Sequence, residues 1–146
     1  IDTRFIALAE EINTGMPASV AQKVDEALNA IGKTIKSSRI LVLGLAYKKN
    51  VDDTRESPSL KIIDILMKLG ADVQYSDPYL PETSKTRKFN FDLKSVKLTS
   101  DKIKSFDAVL LTTDHDDFEY DLIKTAAELI IDTRGYFKKN RNIVQA

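Results

Sequence analysis

Apolar residues recur every three or four positions over the first part of the chain and then gather into short continuous runs, so a helical beginning gives way to a sheet-bearing remainder. Phe5, Ile6, Leu8, Ala9 and Ile12 share one face of a helix that Asp2 or Thr3 would cap and Gly15 would end. Pro17 suits the first turn of a second helix, where Val20, Val24, Ala27, Leu28 and Ile31 keep the same spacing as far as Gly32. Residues 39–43 form a β-branched and aliphatic run that predicts a strand buried on both faces and stopped by Gly44. Ser57 and Pro58 open a helix with Leu60, Ile63, Leu66 and Met67 on one side; Gly70 closes it, and residues 72–76 read as a second strand. Residues 78–100, with Pro81 and many Lys and Thr, predict at most a short strand at 96–98. Beyond them the pattern predicts a helix over 101–106, a strand over 108–112, a helix over 120–127 and a final strand over 129–132.

Strands alternating with helices predict an α/β fold: a doubly wound, mostly parallel, Rossmann-like sheet covered on both faces, here preceded by a helical pair. One boundary is expected near 33–38, dividing a helical segment 1–35 from a sheet domain 36–146. Ligands of such sheets sit at the carboxyl ends of the strands, which fall at 44–57, 76–79, 112–118 and 132–136.

Composition narrows the chemistry. The 22 basic and 22 acidic residues cancel, so no net field points to nucleic acid or an anionic membrane, and recognition by charge must be local. With no cysteine the chain has neither disulfide nor thiolate, and its single histidine argues against a zinc site. No apolar run approaches the roughly 20 residues of a membrane span, and Ile1 begins in a charged, helix-like segment rather than a signal peptide, so a cytoplasmic protein is expected. The missing initiator methionine marks Ile1 as an expected cut end.

The most informative segment is Gly44-Leu-Ala-Tyr-Lys-Lys-Asn-Val-Asp-Asp-Thr-Arg-Glu-Ser-Pro-Ser. It follows the first strand, where a dinucleotide fold carries Gly-x-Gly-x-x-Gly, yet Ala46 and Lys49 stand at the second and third glycine positions. In place of that turn are an aromatic ring, two lysines, an arginine and then a helix N-terminus, a combination suited to a phosphorylated ligand. The plainer reading has Lys48 and Lys49 as solvated charges and Arg55 paired with Asp52 or Asp53.

With Tyr75-Ser-Asp-Pro-Tyr-Leu-Pro at the next strand end and Asp132-Thr-Arg-Gly at the last, this segment resembles the UDP-binding domain of the UDP-glucose/GDP-mannose dehydrogenase family. The resemblance extends to Thr3-Arg-Phe-Ile-Ala-Leu-Ala-Glu-Glu-Ile-Asn, similar to a helix of that family's central, dimer-forming region. Asn50-Val-Asp-Asp-Thr-Arg-Glu-Ser-Pro and Thr113-Asp-His resemble the members that oxidise UDP-N-acetylhexosamines. The family oxidises the sugar C6 alcohol to a carboxylate in two hydride transfers to NAD, through a cysteine-bound intermediate. The resemblance therefore implies a UDP-sugar-binding half of an enzyme, with the nucleophile and most of the NAD site on a separate N-terminal domain and a homodimer as the assembly. It implies that the chain by itself is catalytically inactive. Position by position, Tyr47, Lys48 and Arg134 match residues that line the nucleotide-sugar site, and Arg55 matches an arginine that reaches the cofactor's phosphates. Arg4 and Asn13 match the helical-region motif without an assigned contact.

Two tempting residues have plainer readings. Asp77 stands where a dinucleotide fold keeps its ribose-binding carboxylate, but Asp77-Pro78 reads as a strand-ending turn. His115, among Asp114, Asp116 and Asp117, reads as a polar loop residue rather than a general base. The rival functions are a stand-alone nucleotide-binding module and a dimerisation module, both without catalysis.

Overall fold

The aliphatic run Arg39–Leu43 is an interior strand, β1, of a five-stranded sheet. A computed structural model describes residues 15–46, 48–50, 57–83 and 92–146, and the helix expected before Gly15 lies outside them. Beside β1 lie β2 (Asp72–Ser76) and β3 (Ala108–Leu111), followed outward from β3 by β4 (Ile130–Asp132) and β5 (Ile143–Gln145), in the order β2-β1-β3-β4-β5. Every pairing is parallel, with Val42 opposite both Tyr75 and Leu110. The expected α/β sheet is therefore present, and wholly parallel.

Alternate residues of β1 face opposite cores, which is why the run is continuous rather than alternating. Ile40 and Val42, with Leu110 and Ile131, pack under α1 (Met16–Ala30) and α2 (Pro58–Lys68), which bring Val24, Leu28, Ile63 and Leu66. Leu41 and Leu43, with Val109, Leu111 and Ile130, pack under α3 (Ser100–Lys104) and α4 (Tyr120–Ala126) through Ile103, Phe106 and Ile123. Each fully buried Leu or Ile contributes about 1.5–3 kcal/mol, so both helical layers are bound firmly to the sheet. Helix α1 shares the first core with β1 and α2. No helix among the described residues is long and apolar enough to cross a membrane.

The predicted cap at Ser57 holds, and the one expected at Asp2 or Thr3 lies outside the described residues. Ser57 accepts from the Ser59 N–H at 3.2 Å and donates to the Leu45 carbonyl at 2.6 Å, so one hydroxyl both starts α2 and ties it to the turn after β1. Thr99 caps α3 by accepting from Lys102 N at 3.1 Å. Two expectations need correction. The strand over 129–132 is not the last, because Ile143–Gln145 adds β5 to the sheet edge. No strand forms over 96–98; the segment before it makes single bridges instead, Ser95 to Tyr75 and Lys94 to Glu82.

At the amino edge Asp107 accepts from Arg39 N at 2.7 Å and from Lys33 Nζ at 2.8 Å, joining the end of α1 to the start of β1. Desolvation acts to raise the Asp107 pKa, but the Lys33 hydrogen bond, the Arg39 N–H and the two cations together hold it below the usual aspartate value. A depressed folded pKa stabilises the fold above the unfolded pKa, and that contribution disappears as pH falls through the folded one. Asp107→Ala is thus expected to cost about 1–2 kcal/mol in urea unfolding at neutral pH. The gap from wild type should close below about pH 3.8, the ordinary value from which Asp107 is lowered; a gap that persists there would show that packing, not the carboxylate, is responsible.

Candidate functional site

The strand order fixes where a ligand can enter. From β1 the chain crosses to β2 on one side, and after β2 it crosses back to β3 on the other, so the carboxyl ends of β1 and β3 diverge into a crevice. At the end of β1, Gly44 adopts φ +89°, and a Cβ there would lie 2.5 Å from both the Thr113 Cβ and the Thr113 carbonyl oxygen. Only glycine allows this approach. The loop is then held against β3 by Thr113 Oγ1 donating to the Ala46 carbonyl at 2.8 Å, and against β2 by Leu45 N donating to Asp77 Oδ2 at 2.8 Å.

A cleft of about 440 Å³ opens at this edge on the α1/α2 side of the sheet. Its walls are Gly15, Met16 and Ser19 from the start of α1, Pro58, Ser59 and Ile62 from the start of α2, and Thr112, Thr133 and Arg134 from the ends of β3 and β4. Two helix N-termini therefore look into one hollow, and α1 has no side-chain cap on its first turn. Arg134 is oriented by two bonds: its N–H donates to Asp132 Oδ1 and its Nε to the Thr112 carbonyl, both at 2.8 Å. Its terminal nitrogens have no partner among the described residues, so the fork is aimed but unspent. A second hollow of about 390 Å³ beside β2 is walled by Asp77, Asp117 and Glu119 as well as Lys97, which makes it the poorer host for phosphate.

The four residues named from the sequence fare differently. Arg134 lines the cleft. Lys48 is exposed on the loop after β1, has no ion pair among the described residues, and is not part of the described cleft wall. Tyr47 and Arg55 lie outside the described residues. Lys49 is not simply solvated, since it reaches Asp116 at 3.6 Å.

His115 does lie in the loop before α4, as read from the sequence, but its side chain is 0% exposed. Its Nδ1 accepts from Asn50 N at 2.7 Å, which leaves the ring proton on Nε2, donating to Asp77 Oδ2 at 2.9 Å. The ring lies between Tyr79 and Phe118, with centroids 4.8 and 5.5 Å away. Asp77 also accepts from Tyr79 N at 2.8 Å, so this carboxylate is occupied by Leu45, Tyr79 and His115 and ends the strand as a turn residue, as expected. The neighbouring Tyr120 phenol donates to the His115 carbonyl at 2.6 Å, and burial pushes its pKa upward, keeping it a donor. Residues 38 positions apart meet here, and no spacing rule in a sequence pairs them. Thr112 and Ser59 in the cleft wall were missed too, being ordinary strand-end and helix-start residues until the fold brings them together.

A dinucleotide held in the ordinary way does not fit this edge. Ala46 is buried and its carbonyl is taken by Thr113, while Asp77 is buried with its carboxylate turned to Leu45, Tyr79 and His115 rather than to the surface where ribose hydroxyls would lie. Among the described residues no cluster of His, Asp and Glu is arranged to hold a metal ion.

Residues 41–139 match the model of the UDP-glucose/GDP-mannose dehydrogenase family, UDP binding domain. The chain is 33% identical over 147 aligned positions to a UDP-N-acetyl-D-mannosamine dehydrogenase of Methanococcus maripaludis, covering 95% of this chain and 32% of that protein. It is 31% identical to a UDP-glucose 6-dehydrogenase of Haloferax volcanii, over 91% of this chain and 30% of the relative. The solved structure of a UDP-D-ManNAc dehydrogenase from Pyrococcus horikoshii superposes with a TM-score of 0.69 at 28% identity, over 88% of this chain and 30% of that one. The chain thus spans about a third of the length of these relatives.

Proposed function

Because the chain belongs to the UDP-glucose/GDP-mannose dehydrogenase family, through its UDP-binding domain, we propose that its carboxyl edge holds the nucleotide of a UDP-sugar, with the diphosphate at Arg134 and the α2 N-terminus. The carrying observation is the oriented Arg134 fork in a hollow faced by two helix starts, a concentration of positive potential in a chain of no net charge. Lys48 meets the same ligand from the loop after β1, and Tyr47 packs against it. The complete protein, in this reading, is an NAD-dependent UDP-sugar 6-dehydrogenase acting on a UDP-N-acetylhexosamine, as the names of several relatives favour. Residues 1–35 belong to a dimer-forming region and 36–146 to the nucleotide-binding unit. NAD supplies the hydride acceptor and is bound mainly by another domain, with Arg55 contributing to its phosphates. This chain's part is to bind and orient the substrate, since it has no cysteine to act as nucleophile.

Calorimetry with UDP and AMP tests the nucleotide site. Wild type should prefer UDP, and Arg134→Ala and Lys48→Ala should each weaken UDP about ten- to a hundredfold, the loss of one charge-assisted hydrogen bond to phosphate. Equal affinity for AMP, or undiminished UDP binding by both folded variants, would put the site elsewhere.

A further inference from the structure

We infer that buried His115 is a positioning residue for nucleotide binding: through Nδ1 it sets the course of residues 48–50 and so the place of the Lys48 ammonium. The inference rests on the UDP-site reading above. Four described contacts tie this short exposed stretch to His115 and Asp116. Asn50 N donates to His115 Nδ1 at 2.7 Å, Asn50 Nδ2 to Asp116 Oδ2 at 2.7 Å, and Asp116 N to Asn50 Oδ1 at 2.9 Å. The Lys49 ammonium adds a weaker contact to Asp116 at 3.6 Å. Asn50 itself sits at φ +63°, a conformation asparagine tolerates better than most residues.

The anchor is itself fixed on its far side. His115 cannot swing, because Nε2 is held by Asp77, whose carboxylate is held in turn by Leu45 and Tyr79 N–H groups, and because two aromatic rings flank it. Burying an imidazole costs desolvation of two ring nitrogens, and an apolar side chain would fill the same space without that cost. What only the imidazole supplies is an acceptor at Nδ1 facing an exposed loop and a donor at Nε2 facing the interior. One atom serves the fold and the other serves the loop.

Those two atoms can be removed separately. His115→Gln can keep a donor near the Nε2 position for Asp77 but takes the acceptor away from Asn50. His115→Asn can keep an acceptor near Nδ1 but takes the donor away from Asp77. If His115 positions the loop, UDP affinity follows the Nδ1 acceptor and not stability. By calorimetry on the folded proteins, His115→Gln should bind UDP about tenfold more weakly, while His115→Asn stays within about threefold of wild type even where its melting temperature is lower. Wild-type affinity in His115→Gln, or losses in both variants that scale with lost stability, would overturn the assignment. Asn50→Gly can keep the positive φ and the backbone bond to His115 while removing only the side-chain bonds to Asp116, so it separates the part played by His115 from that of Asp116 and does not depend on either His115 variant folding. It should bind UDP within about threefold of wild type with an unchanged circular dichroism spectrum, and a loss of about tenfold or more would give the positioning role to Asp116 and overturn its assignment to His115. Failure of the wild type itself to bind UDP would instead overturn the nucleotide reading and this inference with it.

Discussion

Gly44→Ala is expected to lower stability by about 3–5 kcal/mol, the sum of a strained positive φ and an overpacked contact. The added methyl carbon would meet the Thr113 Cβ and the Thr113 carbonyl oxygen at 2.5 Å, and the second of these is backbone. A side chain can rotate away, but here the strand itself must move. Thr113 N and Thr112 N both donate to the Leu43 carbonyl, at 3.1 and 3.0 Å, so moving it opens the junction of β1 and β3. Against a total of about 5–15 kcal/mol for a domain, such a loss is a large share of the whole. Thermal unfolding should show a drop on the order of 10 °C, and a change under about 3 °C would mean that β3 gives way at little cost.

Asp77→Ala is the second large effect, at about 3–5 kcal/mol in urea unfolding. It removes the acceptor of three donors at once: Leu45 N, Tyr79 N and His115 Nε2. Each buried donor left unpaired costs about 1–3 kcal/mol, and the three share one site, so they do not simply add. Asp77→Asn should be nearly as harmful, because its amide NH2 turns a donor toward a donor. A loss below about 1 kcal/mol in both would show that water enters and replaces the carboxylate.

Much of this fold is legible in local patterns because its elements are locally specified. Ser57 and Pro58 start α2 where a hydroxyl acceptor and a proline fit, and the aliphatic run of β1 is continuous because both its faces are buried. Residues Ile143–Gln145 escape notice because three positions after a polar run carry no periodicity, and only pairing with β4 makes them a strand. The region around Ser95 misleads for the opposite reason: a stretch able to extend is held by Tyr75 and Glu82 bridges at single points. Of the site, Arg134 could be named from its motif and lies in the cleft wall, whereas the cleft depends on how α1, α2, β3 and β4 converge. The burial of His115 was not legible because its aspartate neighbours in sequence are polar, while its neighbours in space are Asp77, Tyr79 and Phe118.

The all-parallel strand order bears on how the chain finds this structure. No two neighbouring strands can be closed by a tight hairpin: Arg39 must wait for Asp72, and Ile40 for Ala108, before β1 has either partner. Helices form and break on a timescale of about a microsecond, but contacts between such distant stretches require large loops to close first. Refolding should therefore be set by assembly of β1 between β2 and β3, in milliseconds to seconds as an order of magnitude, with β4 and β5 joining afterwards.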